Sequence, residues 1–143
     1  MRSRGFTLVE LLVALAIMAI VSAIAVPIYT QYTIRTQRTN AEKDLLMCAQ
    51  SMERLASTAF TYAGQVGGAD TGAVTPNICT PSTTMYAITV QAADANTFTI
   101  RATPTSGPVV NDGMLEIDAN GAQRWDRNHD GDFGDANETS WAH

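Results

Sequence analysis

The chain has 143 residues, with 14 acidic against 9 basic side chains and a formal net charge of −5. Apart from a membrane-spanning stretch, this length provides one globular domain of modest size and excludes a second one. The acidic balance argues against a general nucleic-acid surface, because duplex binding usually depends on clustered lysine and arginine. The nearest approach to such a cluster is Arg35, Arg38 and Lys43, which a solvated helix face explains better.

An uncharged apolar run follows a short basic start. It covers residues 11–28 and, at about 1.5 Å per helical residue, spans roughly 27 Å, close to the hydrocarbon thickness of a thin membrane. Arg2 and Arg4 precede it, so its start should stay on the cytoplasmic side. A secretory signal would have a shorter apolar region, no carboxylate inside it and a small-residue cleavage site after it. We therefore predict a single-pass membrane helix.

Glu10 stands at the edge of this run. A charged group at the membrane centre costs about 2.5 kcal/mol or more, so an intramembrane carboxylate is interpreted as functional, with a partner. A position in the headgroup zone, without such a role, is the alternative.

The segment Arg-Gly-Phe-Thr-Leu-Val-Glu-Leu-Leu-Val at residues 4–13 resembles the processing signature of the type IV pilin class, which includes pilins, minor pilins and type II secretion pseudopilins. The resemblance implies that a prepilin peptidase cuts between Gly5 and Phe6, that the new Phe6 amine is N-methylated, and that the mature chain assembles into a helical filament. It also implies that Glu10 pairs with the Phe6 amine of a neighbouring subunit, so that two charges are neutralised together. An intrachain pair at i, i+4 spacing is the alternative.

The helix should continue beyond the membrane to about Phe60. Pro27 can kink it, because proline removes a backbone donor and crowds the preceding turn. An apolar stripe with alternating spacings of four and three predicts the face that packs on a sheet. Its members are Ala41, Leu45, Cys48, Met52, Leu55 and Ala59.

Cys48 and Cys79 are the two cysteines, in a segment expected outside the cytoplasm, where disulfides form and persist. Because Cys48 lies on the stripe, it should point toward the body of the domain, within reach of Cys79. A bridge would stabilise the domain by roughly 3–4 kcal/mol on the chain-entropy model. A pair of buried free thiols is the alternative.

Residues 61–84 are rich in Gly, Ala, Thr, Ser and Pro and predict a long surface loop. β-Branched and aromatic residues then predict strands at 86–90, 97–102, 114–118 and 122–125, with turns at 94–96 and 118–121. The expected fold is α+β and type IV pilin-like: a long N-terminal α-helix, membrane-spanning in its first half, packed on a C-terminal antiparallel sheet of three to four strands. The predicted segments are a leader at 1–5, a transmembrane and filament-core helix at 6–28, the amphipathic half of the stalk helix at 29–60, a loop at 61–84, the sheet at 85–125 and an acidic C-terminal loop at 126–143.

The strand sequences Tyr-x-Ile-x-Val, Thr-Phe-Thr-Ile-x-Ala-Thr-Pro and Leu-x-Ile-Asp-x-x-Gly-Ala most resemble minor pilins of the PilE type. Those proteins commonly carry a further cysteine near the position of Asp112, pairing with the one that aligns to Cys79. This chain has none there. The Cys48 to Cys79 bridge is therefore predicted from the parity of the cysteines and the position of Cys48, and the resemblance does not imply it.

The acidic tail is the second informative segment. Oxygen-bearing side chains at alternating positions, with glycine at the sixth place, match the first half of an EF-hand type calcium loop. The second half departs, because the glutamate falls one place late and no helix clearly precedes the loop. The tail also resembles the C-terminal calcium loop of type II secretion pseudopilins. A solvated acidic tail with Asx-Gly turns is the alternative to a structural calcium. The candidate ligands are Asp126, Asn128, Asp130, Asp132 and Glu138.

No nucleophile elbow or phosphate loop is present, the cysteines form no CxxC, and His129 and His143 both lie in the tail, so we do not expect an enzyme. The expected function is that of a structural subunit, a minor pilin, of a type IV pilus used for adhesion, motility or DNA uptake. The expected partners are other pilin subunits, prepilin peptidase, the inner-membrane assembly machinery and, before assembly, the membrane. Nucleic acid is not expected, although the sequence does not exclude it. The chain should be a single-pass inner-membrane prepilin and then part of an extracellular pilus.

Two alternatives remain. One is a type II secretion pseudopilin, favoured by the tail and disfavoured by the cysteines. The other is a membrane-anchored calcium-binding or adhesive module that does not polymerise.

Overall fold

A computed structural model of the chain describes residues 6–142. The predicted leader, including Gly5 of the cleavage site, lies outside the described residues, as does His143. Helix α1 covers Leu8–Ala59, and the strands that follow are β1 (Gly72–Ala73), β2 (Tyr86–Ala93), β3 (Phe98–Pro104), β4 (Leu115–Asp118) and β5 (Gln123–Trp125), with a short 3-10 helix, Gly107–Val109, between β3 and β4. The strands form one antiparallel sheet in chain order. The α+β prediction is confirmed.

The described chain divides into two compact units, residues 6–33 and residues 34–142. The apolar part of α1 is long enough to cross a membrane by length and composition, and its most apolar window is entirely unburied. Pro27 lies inside the helix. The kink expected there stays a prediction.

The core of the second unit joins one face of α1 to one face of the sheet. Ala41, Leu45, Cys48 and Met52 are completely buried, whereas Leu55 is only partly buried and Ala59 is exposed. Side chains alternate between buried and more exposed along β3, as expected for a sheet that faces a helix on one side. The predicted stripe is therefore correct except at its last member. The buried residues contributed by the sheet are Tyr86, Ile88, Val90, Phe98, Ile100, Ala102, Leu115 and Ile117.

The sheet gains an edge strand that the sequence pattern did not indicate. Gly72 and Ala73 lie in the segment predicted as a loop, yet they pair with Val90 and Thr89 of β2. A strand of two small, exposed residues is too short to show hydrophobic alternation. Backbone hydrogen bonds join this segment to β2; the Val74 N–H, for example, donates to the Ile88 carbonyl at 3.2 Å. The sheet thus has five strands in place of the three to four expected.

Candidate functional site

The start of α1 brings Thr7 and Glu10 into reciprocal contact. The Glu10 N–H donates to the Thr7 hydroxyl oxygen at 3.2 Å, and the Thr7 N–H donates to a Glu10 carboxylate oxygen at 3.3 Å. This is the capping-box arrangement, in which a threonine and a glutamate three residues later satisfy the unpaired donors of a helix start. The sequence Thr-x-x-Glu at residues 7–10 is the signature of this cap, a signal that the predictions above left out. Glu10 therefore has a role within its own chain as well as the pairing predicted for it.

The helix surface around Glu10 is apolar and unburied. From Phe6 to Ile28, the large apolar side chains are 53–82% exposed. A contiguous apolar surface of this extent marks a contact with lipid or with other protein. Phe6 is the most exposed of these side chains, and it directly precedes the capping residue.

Cys48 and Cys79 form the predicted disulfide, with their Cα atoms 5.1 Å apart. A second, polar link lies beside it. Asp44, one helical turn before Cys48, accepts hydrogen bonds from the backbone N–H groups of Ser82 and Thr83, each at 2.9 Å. The far end of the connection between helix and sheet is therefore fixed to α1 twice. Sequence reasoning missed Asp44, because its partners are 38 and 39 residues away.

A buried ion pair joins α1 to the segment between β3 and β4. The Arg38 guanidinium donates to both carboxylate oxygens of Asp112, and the Tyr86 hydroxyl donates to the same carboxylate at 2.6 Å. Arg38 also lies over the Trp125 ring, 3.7 Å from its centroid. The expectation of a solvated helix face is wrong for Arg38, which is only 8% exposed. Burial, and then the bond to Asp112, raise the pKa of Tyr86 well above its ordinary value.

The outward side of the sheet carries a second charge network. Glu116 of β4 lies between Arg101 and Arg124, with N–O distances of 2.8 Å to each, and Arg124 also reaches Asp118 at 3.0 Å. Because each arginine here is already paired with a carboxylate, this side of the sheet offers little unbalanced positive charge to a phosphate backbone. Exposed cations occur instead on α1, at Arg35, Lys43 and Arg54.

The acidic tail brings three of its five predicted metal-binding residues together. Asp126, Asp130 and Glu138 each direct a carboxylate oxygen to a common place, where the three oxygens lie within 4.8 Å of one another. Gly131, at the sixth place of the predicted loop, has φ = +90°, so glycine makes the sharp turn that the pattern required. The Asp132 carboxylate does not belong to this group and accepts the Gly134 N–H. The Asn128 amide lies beside the group and donates to Asp130 and Asp135.

A long apolar N-terminal helix, capped at its start and continuous with a disulfide-linked antiparallel head, defines a type IV pilin-like protein. The comparisons with known proteins agree. Residues 27–113, more than half of the chain, match the family described as "Type IV minor pilin ComP, DNA uptake sequence receptor". Residues 1–26 match the prokaryotic N-terminal methylation motif. The chain belongs to this family of type IV minor pilins.

Individual relatives point the same way. A fimbrial protein of Neisseria meningitidis serogroup A is 28% identical over 128 residues, which cover 90% of this chain and 68% of that protein. A fimbrial protein of Pseudomonas aeruginosa is 50% identical over 42 residues, 29% of this chain, so the chain spans only 27% of that protein's length. No solved structure gives a significant match. Membership implies a structural and not a catalytic role, first as an inner-membrane prepilin and then in the extracellular pilus.

Proposed function

We propose that this chain is processed before Phe6 by prepilin peptidase, leaves the membrane by packing its apolar helix among the helices of other pilus subunits, and takes part in DNA uptake as a minor component of the pilus. The observation that carries the proposal is the apolar surface of residues 6–28, which stays 53–82% exposed at its large side chains. Such a surface needs lipid or neighbouring helices around it, because water alone leaves it unfavourably solvated.

Glu10 sets the position of the chain in the filament. Its carboxylate caps α1 through Thr7, and in a water-poor filament core it pairs with the methylated Phe6 amine of a neighbour. The charge pair is worth more there than at the surface, since a charged group buried without its partner is strongly unfavourable. The cap needs only a hydrogen-bonding side chain, whereas the pair needs a negative charge, so the two roles are separable by substitution.

A part in DNA uptake is supported by the name of the family, whose model covers residues 27–113. The overall charge of −5 does not favour a broad phosphate-binding surface. The exposed cations on α1, Arg35, Lys43 and Arg54, are the groups best placed to contact a duplex. The two observations together favour a local contact over wrapping of DNA around the head. Because few phosphates would be neutralised, the salt dependence of binding should be shallow.

The test is a pair of substitutions at Glu10 in the native cell. Glu10→Gln keeps the capping box and removes the charge, whereas Glu10→Ala removes both. We expect both variants to lower the amount of the chain in sheared pili at least about tenfold, the equivalent of ~1.4 kcal/mol. Mass spectrometry of the pili counts the chains that begin at N-methylated Phe6, and uptake of labelled duplex DNA is measured in the same cells.

The matched control is Glu53→Ala, which removes an exposed carboxylate from the same helix and should leave pilus content unchanged. Full incorporation of Glu10→Gln would show that capping alone explains Glu10. Processed chain that stays in the membrane and never enters pili would contradict the pilus role. Unchanged DNA uptake in cells whose pili lack the chain would contradict only the uptake role.

A further inference from the structure

We propose that Asp126, Asp130 and Glu138 bind a calcium ion that fastens the C-terminal segment to β5. These residues lie outside both family matches, which end at residue 113. The site is therefore a property of this chain's own head, separate from the assembly role of its helix.

The Asp126 carboxylate provides the first argument. The residue is 2% exposed, and its buried Oδ1 atom has no hydrogen-bond partner among the described residues. An unsatisfied buried acceptor is costly, and more so when it is charged, so native proteins rarely leave one without a ligand. The carboxylate contributes one of the three oxygens that lie within 4.8 Å of one another. Calcium sits about 2.3–2.6 Å from its oxygen ligands, a length that bridges such separations.

The Glu138 carboxylate is held in place by the backbone around it. It is completely buried, and its Oε1 and Oε2 atoms accept the N–H groups of Arg127 at 3.1 Å and Asp135 at 3.3 Å. Each oxygen retains a further lone pair after one such bond. The bonds orient the carboxylate and leave it able to coordinate an ion.

The charge of the group favours a cation. Three carboxylates so close together repel one another in a partly buried place. The neighbouring Arg127 does not neutralise them: its guanidinium lies over the Trp125 ring, 4.4 Å from the centroid, and donates to the Ala142 carbonyl. Calcium suits the group because it accepts six to eight oxygens in flexible geometry, with water completing the shell, whereas magnesium demands near-ideal octahedral geometry.

The ion would act on the end of the chain. The Trp125 N–H donates to the Glu138 carbonyl at 3.0 Å, and the Trp141 indole N–H donates to the Arg124 carbonyl at 2.9 Å. Residues 138–141 are thus attached to β5 by these two hydrogen bonds, and the Trp141 side chain is buried in the core. An ion bound by both Glu138 and Asp126 adds a further link between the C-terminal segment and the end of β5.

The experiment uses the full chain in detergent micelles, with calorimetric titration of calcium and thermal unfolding followed by tryptophan fluorescence. We expect one ion per chain, with Kd of about 10⁻⁴–10⁻³ M, the range of extracellular calcium modules. At roughly 100 times Kd the melting temperature should rise by about 5–10 °C above its value in EGTA. Asp126→Asn, which keeps the size of the side chain, should weaken binding at least about tenfold, a loss of ~1.4 kcal/mol.

Asp132→Asn is the matched control, because it removes the same charge from the same loop at a residue outside the group of three. It should retain calcium binding within about threefold, or ~0.7 kcal/mol. Absence of binding heat and of a melting shift in the unsubstituted chain would overturn the proposal. An equal shift with magnesium, or an equal loss in Asp132→Asn, would also overturn it, since either result indicates general charge screening by the acidic tail. The melting curve of Asp126→Asn in EGTA checks that the variant is folded.

Discussion

Residues 6–33 hold a single charged side chain, Glu10, among large apolar side chains that are more than half exposed. Residues 34–142 hold several charged side chains in buried positions, and Arg38, Asp112 and Glu116 have opposite charges as partners within the chain. In the first unit, the apolar surface requires another molecule to cover it. In the second, these three buried charges are paired within the chain. Substitutions in the first unit should therefore change assembly, and those in the second should change the free energy of unfolding.

The largest loss of stability should come from Gly113→Ala. Gly113 has φ = +85°, and a Cβ atom added there would lie 1.8 Å from the backbone carbonyl oxygen of Asp126. Because the neighbour is backbone, the segment before β4 or the start of the tail has to move. We expect a loss of more than about 4 kcal/mol in unfolding free energy, measured by urea denaturation of the full chain in micelles.

Gly121→Ala is the control for that loss. Gly121 has φ = +76°, but no atom lies within 4 Å of the Cβ position, so only backbone strain of about 1–2 kcal/mol should appear. Equal losses in the two variants would show that the close approach of Asp126 to Gly113 has no energetic weight.

Tyr86→Phe removes the hydroxyl that donates to the buried Asp112 carboxylate at 2.6 Å. At pH 7 the loss should be about 1.5–3 kcal/mol, the value of a hydrogen bond to a charged group. The pKa of Tyr86 is raised in the folded state, so above about pH 10 the unfolded chain releases this proton while the folded chain keeps it, and the native stability falls as pH rises. The phenylalanine variant lacks this proton. The stability gap between the two chains should therefore narrow by up to about 1.4 kcal/mol per pH unit above pH 10.

Tyr62→Phe provides the comparison at a more exposed site, where the hydroxyl donates to Glu53 at 2.9 Å. It should cost less than about 0.5 kcal/mol at pH 7. A gap between Tyr86→Phe and the unsubstituted chain that stayed constant up to pH 11 would argue against a raised pKa at Tyr86.

The smallest effect on stability should come from Ile20→Ala, in the apolar surface of the first unit. Ile20 is 63% exposed, and Ile100 in β3 is completely buried. The same loss of carbon atoms should cost less than about 0.5 kcal/mol at Ile20 in micelles and about 2–5 kcal/mol at Ile100. Pilus content should show the opposite order. Relative to the unfolding free energy that each variant loses, Ile20→Ala should lower pilus content more than Ile100→Ala. A loss of unfolding free energy in Ile20→Ala as large as that in Ile100→Ala would contradict the proposed difference between the two units.

Local patterns predicted the parts of the molecule that depend on neighbouring residues. Three features were predicted from patterns only a few residues long: the apolar run, the stripe that includes Cys48, and the turn at Gly131. The structure contains all three. The pairing of Arg38 with Asp112 could not be found in this way, because 74 residues separate them. The edge strand at Gly72 and Ala73 was missed because two small, exposed residues carry no hydrophobic pattern.

For the candidate calcium site, the tail sequence indicated which residues could bind a metal, whereas the fold determines which of them lie close together. Alternating oxygen donors gave five candidates; the carboxylates of Asp126, Asp130 and Glu138 converge, whereas that of Asp132 does not. Their convergence depends on where the chain after Gly131 turns back toward β5, which no short pattern encodes. The capping role of Glu10 was predictable from Thr-x-x-Glu, whereas the pilin signature points only to its charge.

The disulfide also has a mechanical consequence. Cys48 and Cys79 are 31 positions apart, and a fully extended chain of that length measures roughly 100 Å, at about 3.3–3.6 Å per residue. When a filament is pulled, force enters each subunit through its helix. With the bridge closed, none of that contour length can be drawn out, because the load passes across the two sulfur atoms. A reduced subunit could lengthen by several times the width of its own sheet before the strands were loaded.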